Sequence, residues 1–235
     1  MRIDTEKKRS VALIIAHPDD ETLWAGGTIL SHPSWNWFIV CLCRRSDKER
    51  ASKYSKAVKI LKAKGIMGDL DDGPQQKPLD DSEVENSIME LLPQKHYDLL
   101  ITHNITGEYT RHLRHEEISK AVIKLWQNGK ISASELWTFA YEDGNKAYFP
   151  IAIGKASVFK QLPQNIWNKK YNIITETYGF DQNSWEAKTV PHAEAFWQFK
   201  NHIEAKGWLT QFEIDKEGVG EDKIHYSSSI LHALS

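Results

Sequence analysis

Six consecutive residues, Ala16-His17-Pro18-Asp19-Asp20-Glu21, hold one imidazole and three carboxylates within five positions, directly after the apolar run Val11-Ala12-Leu13-Ile14-Ile15. Hard oxygen and borderline nitrogen donors at the exit of a buried strand suit a divalent cation, and α/β folds place their chemistry at the carboxyl ends of strands. His17 and Asp20 stand three apart across a tight strand-to-helix turn, so both can face one point. Asp19, between them, is aimed differently, which fits a general base beside a metal-bound water better than a third ligand. Pro18 fixes its own φ and restricts His17, so the turn has little freedom. Glu21 is expected at the start of a helix, where a carboxylate complements the helix dipole.

A hydrolytic zinc usually takes three nitrogen or oxygen ligands from the protein and leaves one position for water, so a further donor should come from the loop after another strand. Asp98–Thr102 leads into His103, and His112-Leu113-Arg114-His115 follows. Histidines at i and i+3 share one side of a helical turn, so one of this pair can bind metal while the other reaches a reacting carbonyl or orients its neighbour. Two carboxylates and two or three histidines on one cleft point to a hydrolytic zinc site, and iron(II) also suits two His and one Asp.

The first motif together with His112-x-x-His115 resembles the LmbE-like (PIG-L) zinc-dependent N-deacetylases. All six positions of the first motif match, as do both histidines of the second, although the family often has Pro-Asp where this chain has Leu113-Arg114. Gly107-Glu108-Tyr109 also resembles the family, with one extra residue before the first histidine. The resemblance spans residues 11 to about 200. It implies a Rossmann-like fold and metal-dependent removal of an acyl group, most often acetyl, from an amino sugar such as an N-acetylglucosamine derivative. Carried over by position, His17, Asp20 and His115 would hold one zinc per chain, Asp19 would be the general base, and His112, protonated, would stabilise the oxyanion or supply a proton. Arg50 resembles the family's substrate-contacting arginine, with Tyr54 where many relatives have an acid, and Tyr109 is expected to reach the carbonyl oxygen. A base and an acid are both needed because an amide nitrogen leaves poorly unless protonated. The alternatives are a metal-dependent phosphoesterase, which often holds two metals about 4 Å apart and needs more carboxylates, and a non-catalytic sugar-binding module, for which Asp19 would be superfluous.

The elements that must position these residues read as α/β: a single Rossmann-like domain over residues 1–235, its mainly parallel sheet covered by helices on both faces. Strands are expected at Val11–Ile15, Phe38–Cys43, Ile66–Leu70, Asp98–Thr102 and Leu136–Ala140. Helices are expected at Glu21–Leu30, Asp47–Lys64 with Gly65 as the stop, Ser82–Leu91 and Glu116–Trp126, then at Tyr171–Tyr178 and from His192 to Phe199. The last thirty residues read as irregular or hairpin-like. Asp69-Leu70-Asp71-Asp72-Gly73 lacks calcium-loop spacing and reads as a solvated loop near the cleft. Gly26-Gly27 comes too late after the first strand to cradle a dinucleotide, and no Gly-x-Ser-x-Gly is present. His103 is a second candidate partner of the metal ligands, and Trp24 and most of the nine tryptophans read as core.

A chain of 235 residues with 40% hydrophobic and 26% charged residues is ordinary for a globular protein. A formal charge of −2 gives no reason to expect nucleic acid or an anionic membrane as partner. No run approaches the roughly 18 apolar residues of a spanning helix, and no signal sequence is apparent. Cys41 and Cys43, two apart in a strand, are read as reduced core residues, which with the rest implies a cytoplasmic enzyme acting on a small N-acylated sugar.

Overall fold

In the computed structural model, which describes residues 8–219, the apolar run becomes strand β1 (Ser10–Ile15), fully buried from Val11 onward. Helix α1 (Asp20–Ser31), strand β2 (Asn36–Cys41), helix α2 (Lys48–Ile60) and strand β3 (Lys64–Met67) follow. Asp47 starts α2 by accepting the N–H groups of Glu49 and Arg50, which no helical carbonyl can satisfy. Next come α3 (Asp81–Leu91), β4 (His96–Tyr97), β5 (Leu99–Thr102), α4 (Leu113–Gln127), β6 (Ser132–Ala133) and β7 (Leu136–Phe139). Two short strands, β8 (Tyr141–Glu142) and β9 (Ile151–Ala152), pair antiparallel. The described chain ends with β10 (Val158–Gln161), α5 (Gln164–Asn172) running into a π-turn (Ile173–Thr177), α6 (Trp185–Thr189), β11 (Ala193–Phe199) and α7 (His202–Val219).

One seven-stranded sheet, ordered β10-β11-β7-β5-β1-β2-β3, organises the molecule. β1 lies parallel between β2 and β5, and β3 and β7 extend the parallel part on either side. Chain order runs outward from β1 through β2 and β3, then resumes on the other side at β5. The switch point therefore lies between β1 and β5, where an open α/β sheet leaves a crevice at the strands' carboxyl ends. Alternate residues of β1 feed opposite cores: Ala12 and Ile14 pack with the side chains of α4, while Val11, Leu13 and Ile15 pack with those of α1 and α2. Burial on both faces explains why the strand reads as a continuous apolar run.

Several elements differ from the expectation. Residues 193–199 form a strand, not a helix, antiparallel to both β7 and β10. Ala195, Trp197 and Phe199 enter one core and Phe196 the other, so two-sided burial erases the alternation that marks a strand. α2 stops at Ile60, with Lys62 at φ 56°, and Gly65 lies in β3, where a Cβ would meet the Tyr54 hydroxyl at 2.7 Å. β3 accordingly begins two residues before the expected strand. α4 begins three residues early, at Leu113, and α5 starts at Gln164 rather than near Tyr171. Residues 206–219, within the last thirty that were expected to be irregular, belong to helix α7, and 220–235 lie outside the described residues. No described helix is long and apolar enough to cross a membrane.

Candidate active site

The crevice beyond β1 and β5 is built from four loops. After β1 the chain turns within Ala16–Asp19, and the Asp19 carbonyl accepts the N–H groups of Thr22 and Leu23 to open α1. Asp19 takes φ 137°, ψ −27°, a backbone region that residues with a Cβ avoid at a cost of about 1–3 kcal/mol. The Asp19 N–H donates to Glu21, whose carboxylate also accepts the hydroxyls of Thr22 and Tyr178. Glu21 does open α1 as expected, but it is fully buried and braces the backbone of Asp19. Burial pushes its carboxyl up to about 7. Asp20 accepts the His17 N–H on Oδ2 (2.8 Å) and the Trp24 indole N–H on Oδ1 (3.0 Å), so Trp24 orients a site carboxylate from within the core.

The loop after β5 supplies the histidines. Glu108, which sequence reasoning gave no role, accepts from Nδ1 of both His103 (2.9 Å) and His115 (2.6 Å) and from the Asn104 N–H. These bonds place the proton of each imidazole on Nδ1 and the lone pair on Nε2. The Nε2 lone pair of His103 is taken by the Ala16 N–H at 2.9 Å, whereas that of His115 faces His17 and Asp20. His112 caps the start of α4 and stacks on His115, with ring centroids 4.6 Å apart. The stretch between them and Glu108 is fixed from outside by Asp143, beyond β8, whose carboxylate accepts both the N–H and the hydroxyl of Thr110 at 2.7 Å.

His17 Nδ1, Asp20 Oδ2 and His115 Nε2 form a triangle with sides of 3.2, 3.4 and 3.5 Å. Ligand atoms about 2.0–2.2 Å from a tetrahedral zinc stand roughly 3.3–3.6 Å apart, so the triangle has the size such an ion requires. Its chemistry fits as well, since His115 Nε2 and an ionised Asp20 both present lone pairs with no proton between them. Two overlapping groups, His17–His112–His115 and Asp20–His103–His115, also converge within 4.8 Å, but the hydrogen bond from the Ala16 N–H occupies the free nitrogen of His103.

The charge balance also favours a cation. Burial opposes a charged imidazole at His17, yet the hydrogen bonds and charges of Asp20 and Asp72 lift it to about 10. Burial likewise disfavours a charged Asp20, but attraction to His115, His17 and His103 holds its carboxyl well below the usual range. Asp19 goes the opposite way: burial and the adjacent Asp20 charge raise it well above the usual range, against the pull of His17 and Arg50. Burial, then the neighbouring His115 and His17, lower His112 to about 3, which favours its neutral imidazole.

The remaining loops close a cavity of about 370 Å³. Asp72, expected in a solvated loop, lies 3.3 Å from His17 Nε2 and pairs with Arg44 at 2.5 Å. The acidic run Asp69–Gly73 was expected near the cleft, but nothing in it singles out Asp72. Arg50 places its guanidinium 3.4 Å from Asp19 Oδ2 and over the ring of Phe180. Tyr109 lines the cavity beside His112 and His115, its phenol kept protonated by burial. Tyr54 is not in the cavity; its hydroxyl donates to the Ile39 carbonyl within the sheet. His192 stacks on Trp167, just before β11.

Residues 12–126, which carry every one of the motif residues above from His17 to His115, match the family described as PIG-L, GlcNAc-PI de-N-acetylase. Residues 12–126 belong to the PIG-L (LmbE-like) family. An uncharacterized protein of Acanthamoeba polyphaga mimivirus is 26% identical over 187 residues, covering 73% of this chain and 79% of that protein. Among solved structures, the N,N'-diacetylchitobiose deacetylase of Pyrococcus horikoshii superposes with a TM-score of 0.62 at 18% identity, over 83% of this chain and 85% of that one. The 4-carboxy-2-hydroxymuconate hydratase of Pseudomonas putida does so with a TM-score of 0.53 at 17% identity, over 92% and 91%. These two likenesses show the fold. As a deacetylase and a hydratase share it, the reaction must be argued from the PIG-L motif residues and their geometry.

Proposed function

We propose that the chain is a metal-dependent hydrolase that removes an N-acyl group, specifically acetyl, from an amino-sugar substrate such as an N-acetylglucosamine derivative. The observation that carries this reading is the triangle of potential ligand atoms on His17, Asp20 and His115, with Asp19, its carboxyl raised by burial and by Asp20, adjacent in the chain. We assign zinc to those three residues, one ion per chain, iron(II) being chemically admissible for the same donors. When bound, the ion supplies Lewis acidity and lowers the pKa of water towards about 7.

The protein's own groups do the rest. Asp19 removes the proton of the attacking water, which its raised proton affinity favours, and passes it to the more basic nitrogen of the leaving amine. Neutral His112 donates its N–H to the carbonyl oxygen as negative charge develops there, which needs no prior protonation. Tyr109 offers a second donor, and Arg50 holds a substrate oxygen while keeping Asp19 from becoming fully protonated. Two buried free thiols, Cys41 and Cys43, both pushed up by burial, support our placing the enzyme in the reducing cytoplasm.

The test is to incubate the zinc-loaded protein with N-acetylglucosamine, its oligomers and conjugates, peptides and phosphate esters, and to assay acetate, amine and phosphate. Acetate from at least one sugar, abolished by Asp19→Asn, is the expected result. Phosphate without acetate would make it a phosphoesterase, and sugar binding without turnover a binding module.

A further inference from the structure

Eight of the nine tryptophans are buried or partly buried, and only Trp185 is exposed, at 39%. That exposure occurs on the wall of the catalytic cavity, which both Trp185 and Glu186 of α6 line. The indole is held there: its ring meets Tyr109 edge-on with centroids 4.8 Å apart, and the Ser184 hydroxyl accepts the Ala187 N–H to fix the start of α6. A large, rigid aromatic surface kept out of the core at a cavity wall is more economically explained by a ligand than by packing. α6 also lies well beyond residue 126, so this wall is not part of the segment that matches the PIG-L family.

We infer that α6 is the sugar-selecting wall of this cavity: Trp185 stacks on the C–H face of a neutral pyranose ring and Glu186 accepts hydrogen bonds from its hydroxyls. The inference rests on the deacetylase reading only for which bond is cut. A pyranose has the matching chemistry, since it carries C–H bonds on one face and hydroxyl donors around its rim. The lining is of mixed charge, with Arg44 paired to Asp72 and Arg50 facing Asp19, so it is the carboxylate of Glu186 that disfavours an anionic substituent at this wall. A volume of about 370 Å³ is near the lower end of the roughly 300–1,000 Å³ of small-molecule sites, the scale of one or two sugar rings rather than a long chain.

Calorimetric titration of N-acetylglucosamine and N,N'-diacetylchitobiose into zinc-loaded Asp19→Asn protein separates binding from turnover. Adding Trp185→Ala is expected to weaken sugar binding about tenfold or more, whereas Trp185→Phe retains most of it and Glu186→Gln loses several-fold. In the otherwise unmodified enzyme, Trp185→Ala should raise KM for the sugar with kcat nearly unchanged, and should leave KM for the acyclic N-acetylethanolamine unaltered. Melting curves confirm that each variant is folded. Unchanged sugar affinity in Trp185→Ala, or no binding of either sugar when Trp185 is intact, overturns the inference while leaving acetate release from other amides possible. Loss of sugar binding in Trp185→Ala without acetate release from any substrate would support the inference and sink the deacetylase reading.

Discussion

Asp19 is the residue whose local cost is easiest to see. Its backbone sits where a Cβ is disfavoured, and its carboxylate is buried beside that of Asp20. Asp19→Gly and Asp19→Ala both delete the carboxylate, so their difference isolates the backbone term. Glycine is expected to be the more stable of the two by about 1–3 kcal/mol in denaturant unfolding, and equal stabilities would show that no strain is stored there. Asp19→Asn should keep its metal while kcat falls about 10²–10⁴-fold. Elemental analysis checks the donors directly: His17→Ala, Asp20→Ala and His115→Ala should lose the ion, whereas His112→Ala should keep it and lose kcat. Glu108→Ala should weaken metal binding roughly 10–100-fold by freeing the His115 ring, and unaltered affinity would contradict that role. That His17, Asp19, Asp20 and His115 lie together was legible because two short motifs carry them. The roles of Glu108 and Asp72 were not: Gly107-Glu108-Tyr109 was read only as a resemblance, and the acidic run Asp69–Gly73, although placed near the cleft, has no spacing that separates its one site residue from its solvated neighbours.

At the scale of elements, the placement of Tyr109 and His112 depends on something neither motif contains. Both of Thr110's donors are engaged by Asp143, which approaches from the β8–β9 connection. Asp143→Ala is therefore expected to lower kcat/KM about tenfold or more by loosening this stretch. The metal content should stay unchanged, because Glu108 and α4 hold His115 independently. Metal loss equal to that of His115→Ala would mean that the stretch and the ligand are one unit. The parallel strands were legible within about two residues because both their faces are apolar. The same two-faced burial concealed β11, whose residues also satisfy a helical spacing. The early start of α4 was missed because His112 caps it without a side-chain hydrogen bond, so no Ser, Thr, Asp or Asn signals the helix.

On the scale of the whole molecule, α1 is pinned from the far end of the chain. Glu194 of β11 accepts the N–H groups of Gly27 and Thr28, the Thr28 hydroxyl and the buried ammonium of Lys170. Gly27 gives this approach room, since a Cβ there would stand 3.0 Å from the Glu194 carboxylate as well as meeting the Leu162 methyls. Glu194→Gln, which removes the charge opposite Lys170, should cost about 3–5 kcal/mol in unfolding free energy; a neutral result would show that water reaches the pair. The sheet has a further consequence. Residues 12–126 end between β5 and β7, so a fragment cut at that boundary would expose the bare edge of β5, whose Leu99, Leu100 and Ile101 are fully buried in the intact protein. An open apolar strand edge invites pairing with any available chain. Residues 8–126 made alone should therefore be insoluble, and residues 127–219 should keep only the β7-β11-β10 pairing, with β7 bare on the side that β5 covers. Made together in one cell, the halves should find each other through β5 and β7, helped by the β4–β6 pair and by the grip of Glu194 on α1, and recovered activity would report that they had reassembled as a split enzyme.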